Sequence, residues 1–261
     1  MKEFNMPAPI PASEINRTAF IKGFRKKHEW TYVEPLLPHL QKLEDKGLVP
    51  QTLGFRRTRE NVRLVMERVN GFELSSIPKE YEDYRFSVDL AKKTAALFQG
   101  FFEAGYYHAD PHSQNIMYDQ IKGRCVAVDL DSIEVKGNNT SLKDYVQGYS
   151  KLLSDIYLGD SPADMTHNML EKGELQNYMG EEWDEFKKAL SSCNNLEFLS
   201  VDTLIYRNLP QLTLLLMKIK NIDSKIHPVI KDFILRGLNP ASCPESFDEI
   251  LGLEAEAPER M

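Results

Sequence analysis

The sequence predicts an α+β fold in which a small, β-rich N-terminal lobe precedes a larger helical lobe. Three observations predict it. The strand-like stretches Thr18–Phe24, Gln51–Phe55 and Val62–Glu67 all fall before Gly71. Ser87–Phe102 then carries Leu90, Ala91, Thr94, Leu97, Phe98, Phe101 and Phe102 at helical intervals. From Leu142 onward, almost every stretch has helical periodicity. A chain of 261 residues suffices for one large domain or two lobes, and either can bury a core.

The elements follow in order. Residues 1–17 hold Met6-Pro7-Ala8-Pro9-Ile10-Pro11, where prolines remove backbone donors and fix φ, so this segment reads as an extended arm. The N-terminal lobe spans 18–70 and opens with the strand Thr18–Phe24. Trp30–Leu43 places Val33, Leu36, Leu37, Leu40 and Leu43 at helical spacing, with Pro35 and Pro38 imposing a late or irregular start. Gln51–Phe55 and Val62–Glu67 read as strands joined across the charged tip Arg56–Asn61. The helical lobe spans 71–250. Its long helix closes at Gly105, Val126–Val128 is a short apolar strand, and Trp183, Phe186 and Leu190 form one core stripe. Leu204–Ile219 is an apolar block. Pro228 opens a helix that buries Val229, Ile230, Phe233 and Ile234 and stops at Gly237. Residues 251–261 read as a flexible tail.

Lys and Arg total 32 against 39 Asp and Glu, a net charge of -7, which disfavours nucleic acid and anionic membrane as partners. No stretch reaches the ~18 uninterrupted apolar residues of a spanning helix, and the N-terminus lacks a basic-then-apolar secretory pattern. The chain therefore reads as soluble and intracellular, with no transmembrane segment. Cys125, Cys193 and Cys243 share no metal-site or disulfide spacing and read as reduced, structural thiols.

Chemistry concentrates in Tyr107-His108-Ala109-Asp110-Pro111-His112-Ser113-Gln114-Asn115-Ile116, with Asp129 following in Val126-Ala127-Val128-Asp129-Leu130-Asp131. Phosphoryl transfer needs metal ions on the phosphates, an acceptor hydroxyl held in line and a group to take its proton. Asp110 could take that proton. Asn115 and Asp129 offer the hard oxygen ligands that magnesium prefers.

These residues resemble the catalytic machinery of the protein-kinase-like superfamily, in which His-x-Asp is followed by Asn five residues after the Asp, then by a metal-binding Asp at a strand end. The resemblance implies a bilobal kinase-like fold with a reduced N-lobe. It implies ATP as cofactor with Mg²⁺ or Mn²⁺, Asp110 as the catalytic base, Asn115 and Asp129 as metal ligands, and His108 as a structural support. His112 joins Asp110 as a catalytic candidate, because His-x-Asp-x-His-x-x-Asn looks more like aminoglycoside, choline and other atypical kinases than eukaryotic-type ones. Lys22 is similar to the lysine that orients the α- and β-phosphates. Its ion-pair partner is Glu34, with Glu29 as the rival. Met66, Glu67, Arg68 and Val69 resemble the hinge that meets adenine, and Asp144 is placed like the helical Asp that braces the catalytic loop. Asp131 could be a second metal ligand or a helix cap.

Two departures bound the resemblance. No glycine precedes Lys22, so the glycine-rich phosphate-covering loop is missing. Few residues separate Asp131 from Asp144, too few for a long activation segment with its own phosphosite. The function so implied is ATP-dependent phosphotransfer to a hydroxyl by an atypical protein Ser/Thr kinase. A small-molecule kinase of aminoglycoside, choline or sugar type is the first alternative, and a pseudokinase binding module the second. A minimal kinase of this shape also resembles those that bacteria deliver into host cells. Finally, Lys218, Lys220, Lys225, His227, Lys231 and Arg236 read either as a polyphosphate anion site in the C-lobe or as a solvated helical face.

Overall fold

The computed structural model describes residues 19–23, 37–57, 62–78, 84–180, 182–193, 201–222 and 225–254. The expected N-terminal arm, Glu29, Glu34, the hairpin tip from 58 to 61 and the tail from 255 lie outside the described residues. Helices alternate with three small antiparallel sheets, which is the α+β class the sequence predicts and is consistent with a kinase-like fold carrying a small β N-lobe.

In the first sheet, β1 (Ala19–Gly23) and β2 (Thr52–Arg57) flank β3 (Val62–Glu67), both antiparallel to it. Between β1 and β2 comes helix α1 (Leu37–Asp45), which buries Leu37, Leu40 and Leu43. Pro38 lies in the first turn of that span, where an N–H has no intrahelical partner to lose. Central β3 carries Leu64, Val65 and Met66, none more than 1% exposed, so these three anchor the sheet to the core.

The chain forms two compact units: Met1–Ser76 with Leu97–Asp110 and Gln114–Asn138, and Ile77–Ala96 with Pro111–Ser113 and Asn139–Met261. Helix α2 (Tyr84–Ala104) contributes to both. It ends where Gly105 takes φ +81° and donates its N–H to Phe102 O at 3.1 Å, a left-handed stop that favours glycine. In the first unit, β4 (Gly71–Glu73), β6 (Ile116–Asp119) and β7 (Arg124–Ala127) form the second sheet, in the order β4-β6-β7. A Cβ on Gly71 would lie 1.7 Å from the Tyr118 carbonyl oxygen, so only glycine allows this approach. The third sheet pairs β5 (Tyr106–His108) with β8 (Ile133–Val135).

In the second unit, α3 (Leu142–Leu158) buries Tyr145, Val146, Tyr149, Leu152 and Leu153. Tyr149 meets Phe233 and Phe247 edge-on, at ring separations of 5.8 and 5.3 Å, and donates its hydroxyl to Ala91 O at 2.9 Å. The aromatic pairs bury area while the one polar atom is satisfied. Phe233 lies on α4 (Pro228–Gly237), the helix expected from the Pro228 and Gly237 signals. Phe186 is buried as expected of the stripe it shares with Trp183. Cys125 and Cys243 are buried thiols. Among the described residues no helix is long and apolar enough to cross a membrane.

One ion pair closes the end of β3. Lys122 Nζ donates to both Glu67 carboxylate oxygens at 2.6 and 2.7 Å, and the Glu67 N–H donates to Gln51 O at 2.8 Å. Partial burial alone would raise this carboxyl's pKa. The Lys122 contact, a Gln51 backbone bond and the nearby Arg124 outweigh it and hold the group below the ordinary glutamate range. A depressed folded pKa stabilises above the ordinary range, and that contribution is lost as pH falls through the depressed value. Lys122→Met should therefore lower the urea midpoint at neutral pH, by less than about 1 kcal/mol for so exposed a partner. It should leave the midpoint unchanged once the solution is acidic enough to protonate Glu67. An equal loss at both pH values would assign the effect to packing instead.

Candidate active site

The site is built from two short connections strung between the second and third sheets of the first unit. One stretch joins β5 to β6 and holds Asp110 and Asn115; the other joins β7 to β8 and holds Asp129. Each end is tied. Val128 N–H donates to Asn115 O at 2.9 Å beside the β6–β7 ladder, and Ala109 N–H donates to Ser132 O at 2.7 Å beside the β5–β8 ladder. Short strands thus fix both ends of the loops, and side chains carried between fixed ends are positioned more narrowly than on a free loop.

Inside this frame Asp110 and Asn115 are bonded to each other, and Asp129 follows Val128, whose N–H meets Asn115. Asn115 Nδ2 donates to Asp110 O at 3.0 Å, which commits the amide nitrogen and leaves Oδ1 as the side chain's acceptor atom. The Asp110 N–H donates to His108 Nδ1 at 3.3 Å, and the buried His108 ring meets Phe101 edge-on at 6.2 Å. His108 therefore supports the loop through packing and one backbone bond. Asp129 caps the 3-10 turn Leu130–Ser132, and its Oδ2 accepts from Ser132 Oγ at 2.8 Å. Asp131 lies within that turn, and its side chain is outside the described atoms.

The brace of the loop is a different residue from the one the sequence suggested. Asp144, four residues into the run Ser141-Leu142-Lys143-Asp144, accepts from Ser141 N–H at 2.7 Å and Ser141 Oγ at 2.9 Å. It closes a capping box at the start of α3 and is exposed. Asp155, three turns further along the same helix, accepts from the N–H of Ser113 at 2.9 Å. Residues 111–113 group with α3 in the second unit, so this bond holds the middle of the segment between Asp110 and Asn115. The signal that could have separated the two was present: Ser-x-x-Asp before an apolar helix already assigns Asp144 to the cap. Asp155→Ala should strand the N–H of Ser113, which is 7% exposed, and cost about 1–3 kcal/mol. Turnover should fall with it, while Asp144→Ala should cost about 1 kcal/mol of stability alone. Thermal melts with steady-state rates test this pair, and identical rates in both variants would remove Asp155 from the site.

The remaining candidates are placed less closely. Lys22 lies on β1 opposite Leu64 in the β1–β3 register, with only its backbone among the described atoms, and Glu34 lies outside them. Met66 is buried, Glu67 is held by Lys122, Arg68 is exposed and Val69 half-buried. His112 is half-buried in the segment that Asp155 braces. Of the basic cluster, Lys220 Nζ donates to the last-turn carbonyl of Leu158, and His227 caps α4 by accepting the Val229 N–H at 3.1 Å. Arg236 pairs with Asp232 and Glu249.

The metal question is one of donor chemistry. Among the described residues no group of three or more His, Cys, Asp or Glu side chains could hold a metal. Asn115 and Asp129 together offer one amide and one carboxylate oxygen. That set fits magnesium arriving with a nucleotide, since magnesium takes few protein ligands and keeps phosphate and water oxygens.

No curated protein matches the chain. A family model described as the ABC1 atypical kinase-like domain matches residues 41–161. The matched span contains the hinge candidates, Asp110, His112, Asn115, Asp129 and Asp155, and ends before the later helices. Over residues 41–161 this chain is similar to an atypical kinase-like domain, consistent with the protein-kinase-like superfamily that its loop residues resemble.

Proposed function

We propose that the protein is an ATP-dependent phosphotransferase and, among acceptors, an atypical protein Ser/Thr kinase. The observation that carries this reading is the hydrogen-bonded chain from Asp110 through Asn115 to Val128, the neighbour of Asp129. It joins a candidate base to one candidate metal ligand and ends beside the other, which lies apart in sequence. Asp110 takes the proton of the acceptor hydroxyl as that oxygen attacks the γ-phosphorus, and ADP leaves. Bound between Asn115 Oδ1 and the Asp129 carboxylate, Mg²⁺ or Mn²⁺ would neutralise charge on the phosphate oxygens. Lys22, with Glu34 or Glu29 as its partner, is assigned to the α- and β-phosphates. The Glu67 N–H is already given to Gln51, so adenine recognition falls to the backbone of Arg68 and Val69. His112 contacts the acceptor side. A polyphosphate anion at the basic cluster is no part of this reading, because Lys220, His227 and Arg236 are engaged locally.

A small-molecule kinase is the second reading, and one observation favours it: only residues 136–141 separate β8 from α3, leaving little chain for a peptide-docking shelf. Labelled ATP offered to a protein panel and, separately, to aminoglycosides and small alcohols decides between them. Label on protein supports the first reading, and label on small alcohols alone removes it. No label on any acceptor would leave the binding-module alternative. An effector delivered into a host cell is the reading that the likeness in size adds, and secretion of a tagged chain tests it.

A further inference from the structure

The carboxylate of Asp129 is held in a way its place in the chain does not require. Asp129 stands at the cap position of the turn Leu130–Ser132, where an aspartate ordinarily accepts a backbone N–H of the first turn, yet its side chain makes no cap bond. Asp144, at the start of α3, does spend its carboxylate locally, on the N–H and hydroxyl of Ser141. Asp129 Oδ2 instead accepts from Ser132 Oγ at 2.8 Å. A hydroxyl rotates to meet its acceptor, and a hydrogen bond to an ionised carboxylate is stronger than one between neutral groups.

Ser132 is fixed from its other side. Its carbonyl accepts the N–H of Ala109, the neighbour of Asp110, at 2.7 Å, and the next residue, Ile133, pairs with His108 in the β5–β8 ladder. The bonds of the site then close into a ring. It runs from Asp110 O to Asn115 Nδ2, from Asn115 O to the N–H of Val128, and along the chain to Asp129. From Asp129 Oδ2 it passes to Ser132 Oγ and returns through Ser132 O to Ala109. Every member of the ring belongs to the first unit. Within it, the Ser132 hydroxyl is the link that fastens the carboxylate to the backbone carrying Asp110.

We infer that Ser132 is a positioning residue for the divalent cation, its hydroxyl setting the orientation in which the Asp129 carboxylate meets the metal. The inference rests on the proposed phosphotransferase reading and adds a residue to its metal site. Groups that orient a metal ligand typically account for about 10–100-fold in metal affinity. The test uses the full chain with Mn²⁺ and a non-hydrolysable ATP analogue, and reads free Mn²⁺ by electron paramagnetic resonance, so that binding is measured without turnover. Ser132→Ala is expected to weaken Mn²⁺ binding in the nucleotide complex by about 10–100-fold. The Mg²⁺ needed for half-maximal transfer should rise by a similar factor. Ser132→Thr, which keeps the hydroxyl, should bind Mn²⁺ within about threefold of the parent. In an Asp129→Ala background the further change Ser132→Ala should have little effect on Mn²⁺ affinity, because a residue that acts through another is not additive with it. Equal Mn²⁺ affinity in the parent and Ser132→Ala, an equal loss in Ser132→Thr, or additive losses in the double variant overturns the inference and leaves the phosphotransferase reading standing. A parent chain that binds no Mn²⁺ with the nucleotide overturns that reading and the inference together.

Discussion

Asp110→Asn should leave the protein folded and lower kcat for phosphoryl transfer by about a hundred- to ten-thousandfold. Two loop bonds at this position are made by backbone atoms: the N–H donates to His108 Nδ1 and the carbonyl accepts from Asn115 Nδ2. Both survive the substitution. An amide keeps the size of the side chain but cannot take a proton from an attacking hydroxyl. The loss should therefore fall on kcat, with the KM for ATP little changed and the melting temperature within a degree or two of the parent. Steady-state kinetics beside a thermal melt gives the answer, and a kcat within threefold of the parent would move the base elsewhere.

Asp129→Ala should abolish measurable transfer. Metal-borne charge stabilisation is worth several kcal/mol, and each 1.4 kcal/mol is about tenfold in rate. Alanine also deletes the bond that Ser132 Oγ donates to Asp129 Oδ2 at 2.8 Å. A fall of about 1 kcal/mol in stability, about 2–4 °C, should accompany the loss. Asp129→Asn separates the two effects, because asparagine keeps an oxygen for Ser132 but carries no charge. Its melt should return toward the parent while its activity stays low and demands much more magnesium. Restored activity in Asp129→Asn would make this residue a turn-former and nothing more.

The sequence was most informative where one physical rule dominated. The apolar stripe from Leu90 to Phe102 and the stop at Gly105 predicted α2, whose observed span begins three residues earlier. Leu37, Leu40 and Leu43, read at helical spacing, are the buried face of α1. The short strands β4, β5, β6 and β8 were not legible, since each has only three or four residues and no period can be counted over so short a run. Yet these strands clamp the site. His108-x-Asp110 and Asn115 could be read as a motif, whereas the bonds that hold them, from Val128 to Asn115 and from Ala109 to Ser132, depend on ladders closed across the chain. Asp155 escaped notice for the same reason: its partner Ser113 is 42 residues away, and nothing local marks the contact. Asp144 attracted the assignment because it begins a helix, which is also why it is spent on the cap.

The central claim is that Asn115 and Asp129 share a divalent cation on the phosphates of a nucleotide beside Asp110. Crystals grown with a non-hydrolysable ATP analogue and Mn²⁺, measured at an energy where manganese scatters anomalously, test it most directly. The account predicts an anomalous peak within about 2.0–2.3 Å of Asn115 Oδ1 and an Asp129 carboxylate oxygen, close to the metal–oxygen distances of such ions, with the γ-phosphate completing the sphere. A bound nucleotide whose metal touches neither residue would contradict it.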